Sequence, residues 1–188
     1  MIVVNLFGAP GAGKSTGAAY IFAMLKFQNL NVELITEFAK DKVYEETKEV
    51  WNNQQYIFGK QSFRVSRLNK KVDVVVTDAP LFLSAFYNHD ATLGTSFNET
   101  VKNVFNSYDN RNYFLKRSKP YNPKGRFQTE EESDVMSISL QEFLRDNDIP
   151  FSVRMGNKKS YDEIIEEIIN ELNGEIIKEI SNELNSMK

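Results

Sequence analysis

Gly8-Ala9-Pro10-Gly11-Ala12-Gly13-Lys14-Ser15-Thr16 decides the reading of this chain. The stretch fits G-x-x-x-x-G-K-[ST]. Ile2-Val3-Val4-Asn5-Leu6-Phe7 before it reads as a buried strand, and Thr16 to Phe27 after it reads as a helix. A strand, a glycine-rich loop and a helix in that order make a cradle for a polyphosphate. Glycine reaches φ > 0 freely and has no Cβ, so the backbone can wrap the anion. Several N–H groups then point inward at the positive end of the helix dipole. Gly8, Ala9, Pro10, Gly11, Ala12, Gly13, Lys14, Ser15 and Thr16 are therefore the candidate nucleotide contacts. Lys14 supplies a mobile charge for the β- and γ-phosphates, and Ser15 a hydroxyl for Mg²⁺.

A second stretch answers the first. Val72-Asp73-Val74-Val75-Val76-Thr77-Asp78 reads as a central strand buried on both faces, because its valines leave no polar side for water. Asp78 arrives at the strand end, in the pattern of the acid that holds the magnesium shell opposite Ser15. Asp73 starts the strand and belongs to its far end.

Outward from these two stretches, the remaining elements suit one α/β domain of 188 residues. Strands are expected at 32–36, 112–115 and 150–155, and helices at 50–71, 81–87, 100–108 and 129–146. Residues 90–100 read as loop. Thr129 with Glu132, and Ser160 with Glu163, are expected to make capping boxes. Ile164, Ile165, Ile168, Ile169 and Leu172 form an apolar stripe, and Asn173-Gly174 is expected to break that helix before Ile176, Ile177, Ile180 and Leu184 continue it. The division expected is a kinase-like body over 1–159, with a basic lid loop at 111–128, and an amphipathic helical extension over 160–188. That extension packs on the body or pairs with a second copy as a homodimer.

Composition narrows the classes. No cysteine is present, which excludes a disulfide framework and thiolate metal sites. No apolar run is long enough to span a bilayer, and the first residues form a strand instead of a leader. The expectation is a soluble cytoplasmic protein with no membrane partner. Net charge is −3, yet residues 160–188 hold eight acids and two bases, so the other residues carry a balance of +3. Nucleic-acid contact is permitted by that balance and not demanded.

The candidate reacting groups follow from strand ends, where an open parallel sheet places its ligands. Glu37 follows the second strand. Residues 111–126 hold six bases and no acid, with Pro120, Pro123 and Gly125 among them. A loop of this kind supplies cations to a moving phosphoryl group, and Arg117 and Arg126 are the leading choices. Trp51, Gln54, Gln55 and Phe58 on the 50–71 helix, with Pro80, form the expected acceptor pocket. Aromatic rings there stack on a base and Gln reads its edge. Lys60, Arg64, Arg67 and Lys71 form a basic stripe on the same helix, with no acid between Val50 and Val72. Arg64 is counted with the acceptor site, and the stripe suits either an anionic acceptor or a solvated surface. His89, the lone histidine, is read as structural or surface.

The chain resembles P-loop kinases similar to the ribosylnicotinamide-kinase domain of NadR over roughly residues 1–170. The resemblance rests on GAPGAGKS at 8–15, Thr36-Glu37-Phe38-Ala39, Gln54 to Gln61, Val74–Asp78, and Phe114-Leu115 leading to Lys119-Pro120-Tyr121 and Gly125-Arg126. It implies a three-layer α/β sandwich with a five-stranded parallel sheet, MgATP as donor and a nucleoside-like acceptor. It places Lys14, Ser15, Glu37, Asp78 and Arg126 at the site. Lys124 precedes Gly125 where that family has an acid, which hints at a more anionic acceptor. The small Asn- and Lys-rich chain also looks like a stand-alone phage-type kinase. Phage enzymes that phosphorylate 5-hydroxymethyluracil within DNA are similar in size and build. The expected activity is transfer of the γ-phosphate of MgATP to a hydroxyl of a nucleoside-type acceptor, free or in DNA, with Glu37 or Asp78 as base. The alternatives are an ATPase or GTPase switch and a nucleotide-sensing binding protein.

Overall fold

A computed structural model describes residues 1–38, 50, 53–124 and 128–186. Five strands form one sheet: β1 (Ile2–Phe7), β2 (Val32–Ile35), β3 (Val74–Thr77), β4 (Asp109–Lys116) and β5 (Ser152–Met155). The order is β2-β3-β1-β4-β5, and every neighbouring pair is parallel. The helices are α1 (Lys14–Phe27), α2 (Gln54–Ser66), α3 (Leu83–Phe86), α4 (Gly94–Asn106), α5 (Glu130–Asp146) and α6 (Lys158–Ser186).

Alternation along β1 divides the core. Ile2, Val4 and Leu6 pack with Ile21 and Leu25 of α1 and Ile164 and Ile168 of α6. Val3 and Phe7 face the other way, onto Val65 of α2, Val101 and Phe105 of α4, and Leu140 and Leu144 of α5. The α/β sandwich is therefore three layers, helices on both faces of a parallel sheet. Burial on both sides explains why β1 and β3 read as near-continuous apolar runs. Asn5 is the exception, 1% exposed in the middle of β1. Its amide donates to Asn110 and Asn112 of β4 at 2.8 and 3.0 Å, so its burial is compensated.

Several boundaries differ from the sequence expectation, each for a local reason. The 50–71 helix is shorter, because Asn53 caps it by accepting from the Tyr56 N–H and Lys70 adopts φ 60° after its end. The 90–100 loop and the short helix after it are one α4 starting at Gly94, preceded by a 3₁₀ turn at Ala91–Leu93. Phe97 joins Val101, Val104 and Phe105 on its inner face. The fourth strand is longer than 112–115, extended at both ends by its register with β1, from Ile2↔Asp109 to Phe7↔Phe114, and with β5, Lys116↔Met155. The last helix is not broken at Asn173-Gly174; α6 runs through both. A single helical glycine costs about 1 kcal/mol relative to Ala, too little to end a helix already docked on the sheet. The Lys40–Glu49 segment lies outside the described residues.

Candidate functional site

Strand order sets the site. β1 lies between β3 and β4, so the loop after β1 is flanked by the ends of both. β2 and β5 bring their own ends to the same edge, the crevice where parallel sheets bind ligands.

In the 8–16 loop, Gly8, Gly11 and Gly13 have φ of 145°, 82° and 95°, values that L side chains rarely adopt. The Lys14 ammonium turns back onto the loop, donating to the carbonyls of Gly8 at 2.6 Å and Ala9 at 3.2 Å. No side chain caps α1, and its first turn holds no acid. The helix start thus presents positive backbone dipole without a competing carboxylate, as an anion site requires. Ser15 and Thr16 are exposed at this helix start.

Two loops beyond the sequence motif build the wall of the loop. Gly156, after β5, packs so closely that a Cβ there would lie 1.9 Å from the Ala12 carbonyl oxygen. Its N–H donates to Lys116 O at 2.8 Å, and Ser118 Oγ donates to Gly156 O at 2.7 Å. The Tyr161 hydroxyl donates to Gly13 O at 3.0 Å. A cavity of about 390 Å³ opens here, lined by Thr16, Tyr20, Ser118, Asn157, Lys158 and Tyr161 among others. Sequence reasoning missed Gly156, Ser118 and Tyr161 here, while Thr16 was among its nucleotide contacts. Gly156-Asn157 looked like an ordinary strand terminator, and a contact from Tyr161 to Gly13 leaves no local pattern.

On the other flank, Asp78 is buried, 4% exposed, and its Oδ1 accepts the Glu37 N–H at 3.1 Å. The two candidate residues are therefore joined through the Glu37 backbone. A buried carboxylate with a backbone donor is satisfied. Tyr87 lies just past α3. Burial first, and then the Glu37 charge, push its phenol up to about 12. The Tyr87 hydroxyl donates to Met136 Sδ at 3.6 Å.

The expected acceptor residues divide. Gln54 and Pro80 are buried and Phe58 half-buried, its ring 5.9 Å edge-on from Phe97. Gln55 is exposed. Arg64 donates to Thr36 O at 3.0 Å and stacks over Phe38 at 5.2 Å, which ties it to the Glu37 turn. Trp51 and Arg126 lie outside the described residues. Arg117 is engaged by acids of α5: Asp134 at 2.7 Å and Glu130 at 3.0 Å. Its guanidinium also stacks on Tyr121 at 5.3 Å, and that ring would meet a Cβ placed on Gly11 at 3.1 Å. Ser133 Oγ donates to Pro10 O at 2.7 Å, so the start of α5 closes over the loop tip. His89 is exposed.

The donor set fits a magnesium nucleotide. Mg²⁺ takes hard oxygen ligands and keeps much of its coordination for phosphate and water, so one hydroxyl and one carboxylate suffice from the protein. Ser15 and Asp78 are of those two types. No helix among the described residues is long and apolar enough to cross a membrane.

Solved structures share this architecture. The chain is similar to deoxyadenosine kinase from M. mycoides, in a structure with the product dCMP and a flexible dCDP bound: 24% identity, 92% of this chain, 99% of that one, TM-score 0.56. A dATP-bound structure of that kinase matches at 23% identity, 91% and 99% coverage, TM-score 0.55. Thymidylate kinase from Ehrlichia chaffeensis matches at 12% identity, 91% and 98% coverage, TM-score 0.58. These likenesses concern the fold. No curated protein matches the chain in sequence. The model of the AAA domain family matches residues 3–177, nearly the whole length, and the chain belongs to that family.

Proposed function

We propose that the chain is an ATP-dependent phosphotransferase that moves the γ-phosphate of MgATP to a hydroxyl of a nucleoside-type acceptor. The observation that supports this reading is the bond from the Glu37 backbone N–H to Asp78, at the end of the strand next to β1. Hydrolysis needs only a water-positioning group, whereas transfer needs an acid on the acceptor side held near the moving phosphoryl group. Glu37 is assigned that role; the ring of the next residue, Phe38, packs edge-on against Tyr56 of α2 at 5.5 Å.

In this mechanism the backbone N–H groups of 8–16 bind the polyphosphate, and the cavity beside Tyr20, Asn157 and Tyr161 receives the rest of the donor. Lys14 leaves the carbonyls of Gly8 and Ala9 for the β- and γ-phosphate oxygens. Ser15 and Asp78 would hold Mg²⁺, which would supply Lewis-acid neutralisation of phosphate charge. Glu37 or Asp78 accepts the proton of the acceptor hydroxyl. Arg117 and Arg126 add cations to the equatorial oxygens, Arg117 by exchanging its α5 carboxylates for phosphate. A phosphate of higher charge competes for the same guanidinium, whose two partner acids are more exposed than the Arg117 side chain itself.

Two acceptor forms suit the site: a free nucleoside or nucleotide, and a 5-hydroxymethyluracil base in DNA. Exposed Tyr56 and Phe63 of α2 interleave with Lys60 and with Arg67 at the helix's C-cap, which supports a polynucleotide. A homodimer through α6 and a cytoplasmic location complete the reading. The test is Lys14→Ala: it abolishes transfer and leaves the fold intact. Retained turnover in that variant contradicts the site.

A further inference from the structure

Gln61 lies at none of the positions expected to touch nucleotide, metal or acceptor, yet it is 4% exposed and fully engaged. Its Oε1 accepts the Phe38 N–H at 3.3 Å. Its Nε2 donates to Thr36 O at 3.3 Å and, more loosely, to Ala79 O at 3.5 Å. One amide therefore spans the turn that follows β2 and the turn that follows β3. Those turns carry Glu37 and Asp78. Arg64, one turn further along α2, donates to the same Thr36 carbonyl. Asp78 takes the N–H between them, that of Glu37.

Consecutive backbone groups Thr36 O, Glu37 N and Phe38 N are thus each held by a side chain from another element. β2 ends at Ile35, and the ladder with β3 stops there, so among the described residues the sheet pairing does not extend to this turn. A buried amide committed on both its donor and acceptor atoms fixes orientation more strictly than an apolar side chain of the same size.

We propose that Gln61 is a positioning residue: its amide locks the Glu37 turn against the Asp78 turn and so sets the geometry of proton acceptance. Its kinetic consequence rests on the phosphotransfer reading above; its structural consequence does not. Small displacements of a reacting group lower rates steeply, so the effect is concentrated in kcat.

The experiment pairs Gln61→Met, similar in volume but without the amide, with Glu37→Gln and the double variant. Backbone amide exchange is followed for Glu37 and Phe38. Transfer from labelled MgATP is followed to deoxyadenosine, thymidine, thymidine monophosphate and 5-hydroxymethyluracil DNA. In Gln61→Met the two amides exchange at least about tenfold faster while β1 amides are unchanged, because the bonds removed are local. The value of kcat falls about 10–100-fold, KM for ATP stays within about twofold, and in the Glu37→Gln background Gln61→Met costs less than about threefold, because the two residues act as a unit.

Gln61→Asn, which keeps both amide functions on a side chain one methylene shorter, gives an intermediate kcat and covers the case in which the Met variant does not fold. Unchanged amide exchange overturns the lock. Faster exchange with additive kinetic effects overturns the positioning role and leaves Gln61 a structural residue. Absence of transfer in the unmodified chain, with faster exchange in the variant, overturns the phosphotransfer reading and the positioning role but keeps the lock.

Discussion

Gly156→Ala tests how the donor side of the site is built. A Cβ at this position would lie 1.9 Å from Ala12 O, 3.0 Å from Ala12 C and 3.3 Å from Lys116 O. All three are backbone atoms, so no side chain can turn away. Bringing the first distance from 1.9 to 3.0 Å means withdrawing the loop by at least about 1.1 Å. That strains the Gly156 N–H bond to Lys116 O and the Ser118 bond to Gly156 O. Overpacking of this kind costs about 1–3 kcal/mol, and one weakened buried hydrogen bond about 1 more. For a chain of this size the melting temperature then falls by roughly 10 °C. Gly59→Ala is the control: nothing lies within 4 Å of its Cβ, and it sits inside α2. The added helix propensity raises the melting temperature by about 2–4 °C. Thermal unfolding by circular dichroism reads both, and calorimetric titration with MgATP reads the loss of donor affinity in Gly156→Ala. Melting and ATP affinity of Gly156→Ala equal to those of the unmodified chain would refute the reasoning.

Other expectations concern the core and the acid pair. Ile168→Ala, at a fully buried position of α6, destabilises by about 2–5 kcal/mol in urea unfolding, as for any large-to-small change in a well-packed core. Unaltered stability would mean that α6 is not part of the core at that point. Tyr87 gives a pH dependence, since burial and then the Glu37 charge hold its phenol up at about 12 against an ordinary 10.0. In the unfolded chain it loses its proton at about pH 10, so the unfolded state binds fewer protons between pH 10 and 12. Stability from this group is therefore complete below about pH 10 and declines by roughly 2–3 kcal/mol as pH rises through 12. Tyr87→Phe flattens that alkaline decline in urea midpoints measured from pH 9 to 12, and an equally steep decline in the variant would contradict the assignment.

The legible part of this protein was local. The phosphate loop is contiguous, and the valines of β3 declare a strand covered on both faces, so Asp78 fell at its end without reference to anything distant. Glu37 was placed by the same logic, one strand further out. What the sequence concealed comes from elements far apart in the chain. Gly156 matters because of Ala12, Tyr161 because of Gly13, and Ser133 because of Pro10, and none of these pairs has a spacing that a window of residues detects. Gln61 was visible as one of several glutamines on a helix, but its commitment to the Thr36–Phe38 turn depends on where α2 crosses β2. The start of α4 was hidden for a different reason: Gly94-Thr95-Ser96 reads as loop by composition, while Phe97, Val101 and Phe105 draw the helix back by packing on the core.

The central claim is that the chain moves a phosphoryl group to an acceptor. Labelled ATP with Mg²⁺, offered with free nucleosides, nucleotides, nicotinamide riboside, and DNA with and without 5-hydroxymethyluracil, tests it most directly. The account predicts label on one class of acceptor and little in free phosphate; label in free phosphate alone, whatever acceptor is present, would contradict it.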